Sequence, residues 1–99
     1  MKVSPDYPTE ETKNLYKAIL TLNTPDEASR FFRDLLTEAE IKEFANRWQM
    51  VQLIAQGISY LDIAKKLGVS TTTVNRVAKW LHHGTGGYKL ALDRTEKSC

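Results

Sequence analysis

SYLDIAKKLGVSTTTVNRVAKWLH, residues 59–82, is the stretch whose reading decides the fold of this 99-residue chain. Ser59 with Asp62 three positions on is a helix start signal, and the helix is expected to run to about Leu67. Gly68-Val69 makes a tight turn. Ser70 then caps a second helix, expected from Thr71 to about His82. A short helix, a turn containing glycine and a second helix define a helix-turn-helix. The spacing fixes individual roles. Ala64 faces the second helix, where only a small side chain fits. Gly68, four residues on, opens the turn with positive φ at low cost. Val74, six residues further, packs under the first helix, and Ile63, Leu67, Val69 and Val77 fill the remaining inward positions.

Any α-hairpin in a bundle has a glycine turn and apolar faces, so the outward residues carry the functional information. They are Ser70, Thr71, Thr72, Asn75, Arg76 and Lys79. All are polar, and no acidic residue occurs from Ser70 through Lys79. A helix entering the DNA major groove needs this composition. Its N-terminal end donates to phosphates, and short hydroxyls permit close approach. Asn pairs bidentately with adenine, and Arg with guanine or phosphate. Lys65 and Lys66 on the preceding helix are placed to reach backbone phosphate. Two readings stand at this point: a face for double-stranded DNA, and an all-helical interaction module whose hairpin packs on a protein partner.

Working outward, the rest of the chain is also punctuated as helices. Thr9-Glu10-Glu11 precedes Leu15, Ala18, Ile19 and Leu22 at helical spacing. Thr24-Pro25-Asp26-Glu27 combines a cap, a proline suited to the first turn and a capping-box glutamate. Ala28, Phe31, Phe32 and Leu35 follow it. Thr37-Glu38-Ala39-Glu40 is a second capping box. It opens the longest helix, with Ile41, Phe44, Ala45, Trp48, Val51 and Ala55 on one stripe and Met50, Leu53 and Ile54 on another, so central burial is expected. Gly57 ends it as a left-handed cap. Gly84, Gly86 and Gly87 break the pattern before a last helical stretch from Tyr88 to about Arg94. No segment alternates with period two. The expected fold is all-α, about six helices: a loose N-terminus over 1–8, a helical domain over 9–94 containing the helix-turn-helix at 59–82, and a loose tail over 95–99.

Charge divides the chain. Residues 1–44 carry six Lys/Arg and nine Asp/Glu, whereas 45–99 carry eight and three, so the overall +2 hides a basic C-terminal half suited to an anionic partner. No apolar run approaches the roughly 18–20 residues of a membrane span, and the first residues lack the apolar stretch of a signal peptide. The single cysteine, Cys99, allows no intrachain disulfide, which fits a cytoplasmic location. Long helices in so short a chain are short of core, since roughly two-thirds of the unfolded surface is the most that it can bury, which leaves dimerisation open. His82 and His83 are adjacent and cannot share a metal site well, so no metal is expected. Gly84-Thr85-Gly86-Gly87 follows a helix and lacks the P-loop pattern. No catalytic constellation stands out, and no enzyme activity is expected. Trp48 lies on the apolar stripe and reads as core.

The sequence resembles the tryptophan repressor family, in its related YerC/YecD-type group. The resemblance rests on Leu36-Thr37-x-x-Glu40 opening a helix, Arg47 within it, Gly57 at its end, the helix-turn-helix through Asn75-Arg76 to Leu81, and Gly86-Gly87-Tyr88-Lys89 with Leu92-Asp93-Arg94. It covers about residues 10–94. It implies an intertwined homodimer of all-helical chains and a bacterial transcriptional regulator, a repressor acting on a palindromic operator. A twofold pair presents two recognition helices about one DNA turn apart, ~34 Å.

The resemblance also raises a ligand pocket. Tryptophan repressors hold the indole between two arginines, matched here by Arg47 and Arg76, and Thr37 matches a position beside that site. Guanidinium stacking on an aromatic ring and pairing with a carboxylate are both sound chemistry. The neighbouring positions depart from the pattern. Val77 stands where the repressors have glycine, and Trp80 where they have serine. Extra bulk in a packed site typically costs about 1–3 kcal/mol. The expectation is a regulator that does not use L-tryptophan as corepressor, with Arg76 serving DNA and Arg47 pairing with an acidic neighbour. An amino-acid-responsive repressor is the alternative.

Overall fold

Side-chain caps set where the helices begin. The structure, a computed structural model, describes residues 6–97. It contains α1 (Glu10–Ile19), α2 (Pro25–Leu35), α3 (Glu38–Ala55), α4 (Tyr60–Leu67), α5 (Thr71–His83) and α6 (Gly87–Lys97), with no strand among the described residues. The all-α class expected from the sequence is the one found. Thr9, Thr24, Ser59 and Ser70 each occupy the N-cap and accept a backbone N–H from three residues ahead. At α3 the capping box is complete: the Glu40 N–H donates to Thr37 Oγ1 at 3.1 Å and the Thr37 N–H to Glu40 Oε1 at 2.9 Å. At α2 the box is displaced, because Glu27 Oε1 accepts from the Asn23 N–H at 2.9 Å, one residue further back than the motif predicts.

The helix ends are less local. Gly57 follows α3 at φ +82°, the left-handed stop expected there. The last helix begins one residue earlier than expected and runs three residues further, to Lys97. Thr95 and its neighbours, expected in a loose tail, form its last turn; the Thr95 hydroxyl donates back to the Ala91 carbonyl at 2.8 Å. Ser98 and Cys99 lie outside the described residues.

The chain divides between Ile41 and Lys42 into two units. The first, over the described residues 6–41, holds α1, α2 and the first turn of α3, and none of its residues is buried. Leu15, Ile19, Phe31 and Phe32 are half-buried and Leu35 is exposed. Phe31 and Phe32 meet edge to face at 5.5 Å.

The second unit, residues 42–97, holds the core. Val51 of α3, Ile63 of α4 and Val74 of α5 are its fully buried centre, each such side chain contributing roughly 1.5–3 kcal/mol. Met50, Leu53, Ile54, Ala64, Val77, Ala78 and Leu81 surround them, and Leu67, Val69, Trp48 and Tyr88 pack at the edge. The helix-turn-helix is assembled as its spacing demands: Ala64 and Val74 are buried, Gly68 sits at φ +69°, and the Val69 N–H closes on the Ala64 carbonyl at 3.0 Å. One expectation fails. Burial along α3 is confined to Met50–Ile54, the stretch clustered with α4 and α5, while Phe44 is 47% exposed and Ala45 and Ala55 are also exposed.

Candidate nucleic-acid interface

α5 is held from behind by Val74, Val77, Ala78 and Leu81, all buried. At 3.6 residues per turn, the opposite stripe carries Thr72, Arg76 and Lys79, flanked by Thr71 and Asn75. All five side chains are exposed. Ser70 is exposed as well, but its hydroxyl is committed to the helix start, accepting from the Thr73 N–H at 3.1 Å and lying 3.0 Å from Thr73 Oγ1. Lys65 and Lys66 are exposed in the last turn of α4, where they also complement the helix dipole.

Charge separates this face from the first four helices. α1, α2, α3 and α4 each carry acidic residues in the first turn, whereas α5 carries none. Its positive end is therefore uncompensated by protein charge. No Asp or Glu occurs between Asp62 and Asp93, a span that holds Lys65, Lys66, Arg76, Lys79 and Lys89. Other arginines are paired internally: Arg30 with Asp26 at 3.1 Å, Arg33 with Glu38 at 3.3 Å and Arg47 with Glu43 at 2.7 Å. The Arg76 guanidinium has no ion pair or hydrogen bond among the described residues. Its positions one turn away are Thr72, Thr73, Lys79 and Trp80, so no local carboxylate can claim it.

Of the residues expected to form a ligand pocket, Arg47 lines a groove. An open groove of about 250 Å³ is lined by Phe44, Arg47, Trp48 and Tyr88. The Arg47 guanidinium is engaged with Glu43, the acidic neighbour the sequence reading anticipated, and lies 5.8 Å from the Phe44 ring centroid. Trp48 and Tyr88 rings are 6.4 Å apart. Val77 is buried in the core, Trp80 is half-buried beside Gly84, and Thr37 is occupied by the α3 capping box. Phe44 precedes Arg47 by three residues and was legible as its helical neighbour. Tyr88, beyond the glycine turn, had no sequence signal. The His82 and His83 rings are both exposed, 6.4 Å apart. Among the described residues no three His, Cys, Asp or Glu side chains converge, and no helix is long and apolar enough to cross a membrane.

The fold and this face define an all-α helix-turn-helix protein. The sequence matches the model of a family described as Trp repressor protein over residues 10–96. It is 36% identical over 89 residues to YerC of Bacillus subtilis, an uncharacterized protein, covering 90% of this chain and 86% of that one. Among solved structures, a TrpR-like protein from Eubacterium eligens superposes with a TM-score of 0.87 at 35% identity, over 94% of this chain and 96% of that one. A candidate Trp repressor from Staphylococcus aureus does so at 0.80 and 38% identity, over 87% and 86%. The chain belongs to the Trp repressor family.

Proposed function

We propose that this protein is a sequence-specific regulator of transcription that binds double-stranded DNA as a homodimer, acts as a cytoplasmic repressor and does not use L-tryptophan as corepressor. The observation that carries the reading is the solvent face of α5. Thr71, Thr72, Asn75, Arg76 and Lys79 project from a helix pinned by a buried underside, in a stretch free of carboxylates. Such a face suits a polyanion, and its amide and guanidinium suit base edges. Lys65, Lys66 and Lys79 supply phosphate contacts, and Ser70 contributes by fixing the start of the helix. Family membership supports the same function.

The homodimer is supported by what one chain leaves uncovered. No residue of 6–41 is buried, and Phe44 at the start of the long helix stays half in solvent. A second copy is the partner that a twofold operator requires. The corepressor reading is supported by Val77, buried where an indole would need space, and by Arg47, already paired with Glu43.

The test starts from duplexes selected out of a random pool by the purified protein, with and without L-tryptophan. Enrichment of a palindrome in both pools is expected. Asn75→Ala/Arg76→Ala should lose that site while remaining dimeric by sedimentation. Micromolar calorimetric binding of L-tryptophan would sink the corepressor part, and a monomer at working concentration the dimer. If the double variant bound DNA like wild type, the interaction-module alternative would take its place.

A further inference from the structure

We infer that Arg76 is a specificity-determining residue that reads a guanine in each half of the DNA site, rather than a further phosphate contact. The inference rests on the DNA-binding function proposed above and deepens it. Three observations converge. Arg76 lies on the stripe of α5 directly opposite buried Val74, Val77, Ala78 and Leu81, so it projects along the direction in which the helix meets its partner. Its guanidinium is free, whereas Arg30, Arg33 and Arg47 each spend theirs on a carboxylate. The other Lys/Arg residues of α4 and α5 are lysines: Lys79 one turn on, and Lys65 and Lys66 on α4.

That last contrast decides the role. A lysine is a compact point charge that satisfies a phosphate from many directions. A guanidinium offers two parallel N–H donors in a fixed plane, which match the O6 and N7 acceptors of guanine in the major groove. The amides at the start of α5 and the surrounding lysines already provide for phosphates. Ser70 and Thr73 are poorly placed as readers, because their hydroxyls bond to each other and the Ser70 hydroxyl also accepts from the Thr73 amide at the cap. Thr71 and Thr72 carry single hydroxyls, which do not distinguish guanine bidentately.

The experiment compares wild type, Arg76→Ala and Arg76→Lys by selection from the same random duplex pool and by anisotropy titration on the selected site. Arg76 is exposed, so both variants should fold, which circular dichroism checks. The wild type is expected to select a guanine at one column per half-site. Changing that base, or replacing it with 7-deazaguanine to remove N7, should weaken wild-type binding roughly 5- to 150-fold. Arg76→Ala should lose the preference at that column alone and be indifferent to 7-deazaguanine, and Arg76→Lys should keep a weaker preference there, having lost the planar fork. Arg76→Lys should keep the wild-type dependence on salt. The opposite result is a uniform loss for Arg76→Ala across all sequences, with base preferences intact and the logarithmic salt slope reduced by about 1. That marks a phosphate contact and overturns the inference while leaving the DNA-binding reading in place. If wild type enriches no sequence, the regulator reading fails and this inference fails with it.

Discussion

Replacing Gly84 with Ala puts a methyl where the structure has no room for one. Gly84 has φ −85° and ψ −153°, extended backbone open to any residue, so the substitution carries no conformational penalty of its own. The cost is steric. An added Cβ lies 2.4 Å from the Trp80 carbonyl oxygen, 3.1 Å from Trp80 Cε3 and 3.2 Å from the Trp80 carbonyl carbon. The indole can swing aside. The carbonyl cannot, because it belongs to the last turn of α5 and receives the Gly84 N–H at 2.9 Å. Relief therefore means giving up that hydrogen bond, a net of about 0.5–1.5 kcal/mol, or tolerating overpacking at about 1–3 kcal/mol. We expect a loss of roughly 1–1.5 kcal/mol, where the two ranges overlap. Urea unfolding at one fixed protomer concentration measures it, followed by far-ultraviolet circular dichroism. Tryptophan fluorescence should shift as well, since Trp80 borders the change. Binding to the selected duplex should be nearly unaffected, because the outward face begins at Thr71, at the other end of the helix. An unfolding midpoint within about 0.5 kcal/mol of wild type, at the same slope, would refute the steric argument.

Gly68 is the opposite case: nothing lies within 4 Å of an added Cβ, but φ is +69°. Gly68→Ala should cost about 1–2 kcal/mol for the left-handed conformation, offset by roughly 0.4–1 from the stiffer unfolded chain. Gly68→Asn should cost less, and equal losses for the two variants would argue against a backbone cause. Tyr16 ionises above the ordinary tyrosine value, chiefly because its hydroxyl is hydrogen-bonded to that of Tyr7, with small contributions from desolvation and from Tyr7 charge. The fold favours the neutral phenol, so this contribution is complete below the usual tyrosine pKa and is lost as pH rises through the raised one. Ultraviolet titration, with Tyr16→Phe as the reference, should show the Tyr16 transition moving down in Tyr7→Phe; an unmoved transition would exclude the hydrogen bond as its cause.

Helix beginnings were readable because their chemistry is written in side chains. Thr24, Thr37, Ser59 and Ser70 all cap as their sequence positions predict. Helix ends were less so: α6 continues past Arg94 to Lys97, with the Thr95 hydroxyl folded back onto the Ala91 carbonyl within the helix. The helix-turn-helix was readable residue by residue, since Ala64, Gly68 and Val74 each meet a constraint that spacing alone imposes. The groove was not. Tyr88 reaches Trp48 only because the 84–86 turn aims α6 that way, and backbone angles at glycines leave no mark in side-chain pattern. Periodicity likewise showed which residues of α3 are apolar, but not that a single chain buries only Met50–Ile54 among its larger residues. For the outward face, sequence supplied the residue types; structure added that Ser70 is occupied and Arg76 is free.

The bare N-terminus of α5 has a consequence for engineering. A carboxylate in the first turn of a helix typically adds about 0.3–1 kcal/mol, and four other helices of this chain take that gain. A glutamate at Thr72 would take it for α5 and would also stand four residues before Arg76, the favourable order for an ion pair. A screen for thermal stability would therefore favour Thr72→Glu, and under the proposed function the winning variant would be sturdier and unable to read its site. Under the proposed function, α5 forgoes that gain at the turn where it meets DNA, an exchange of stability for activity made at a single turn.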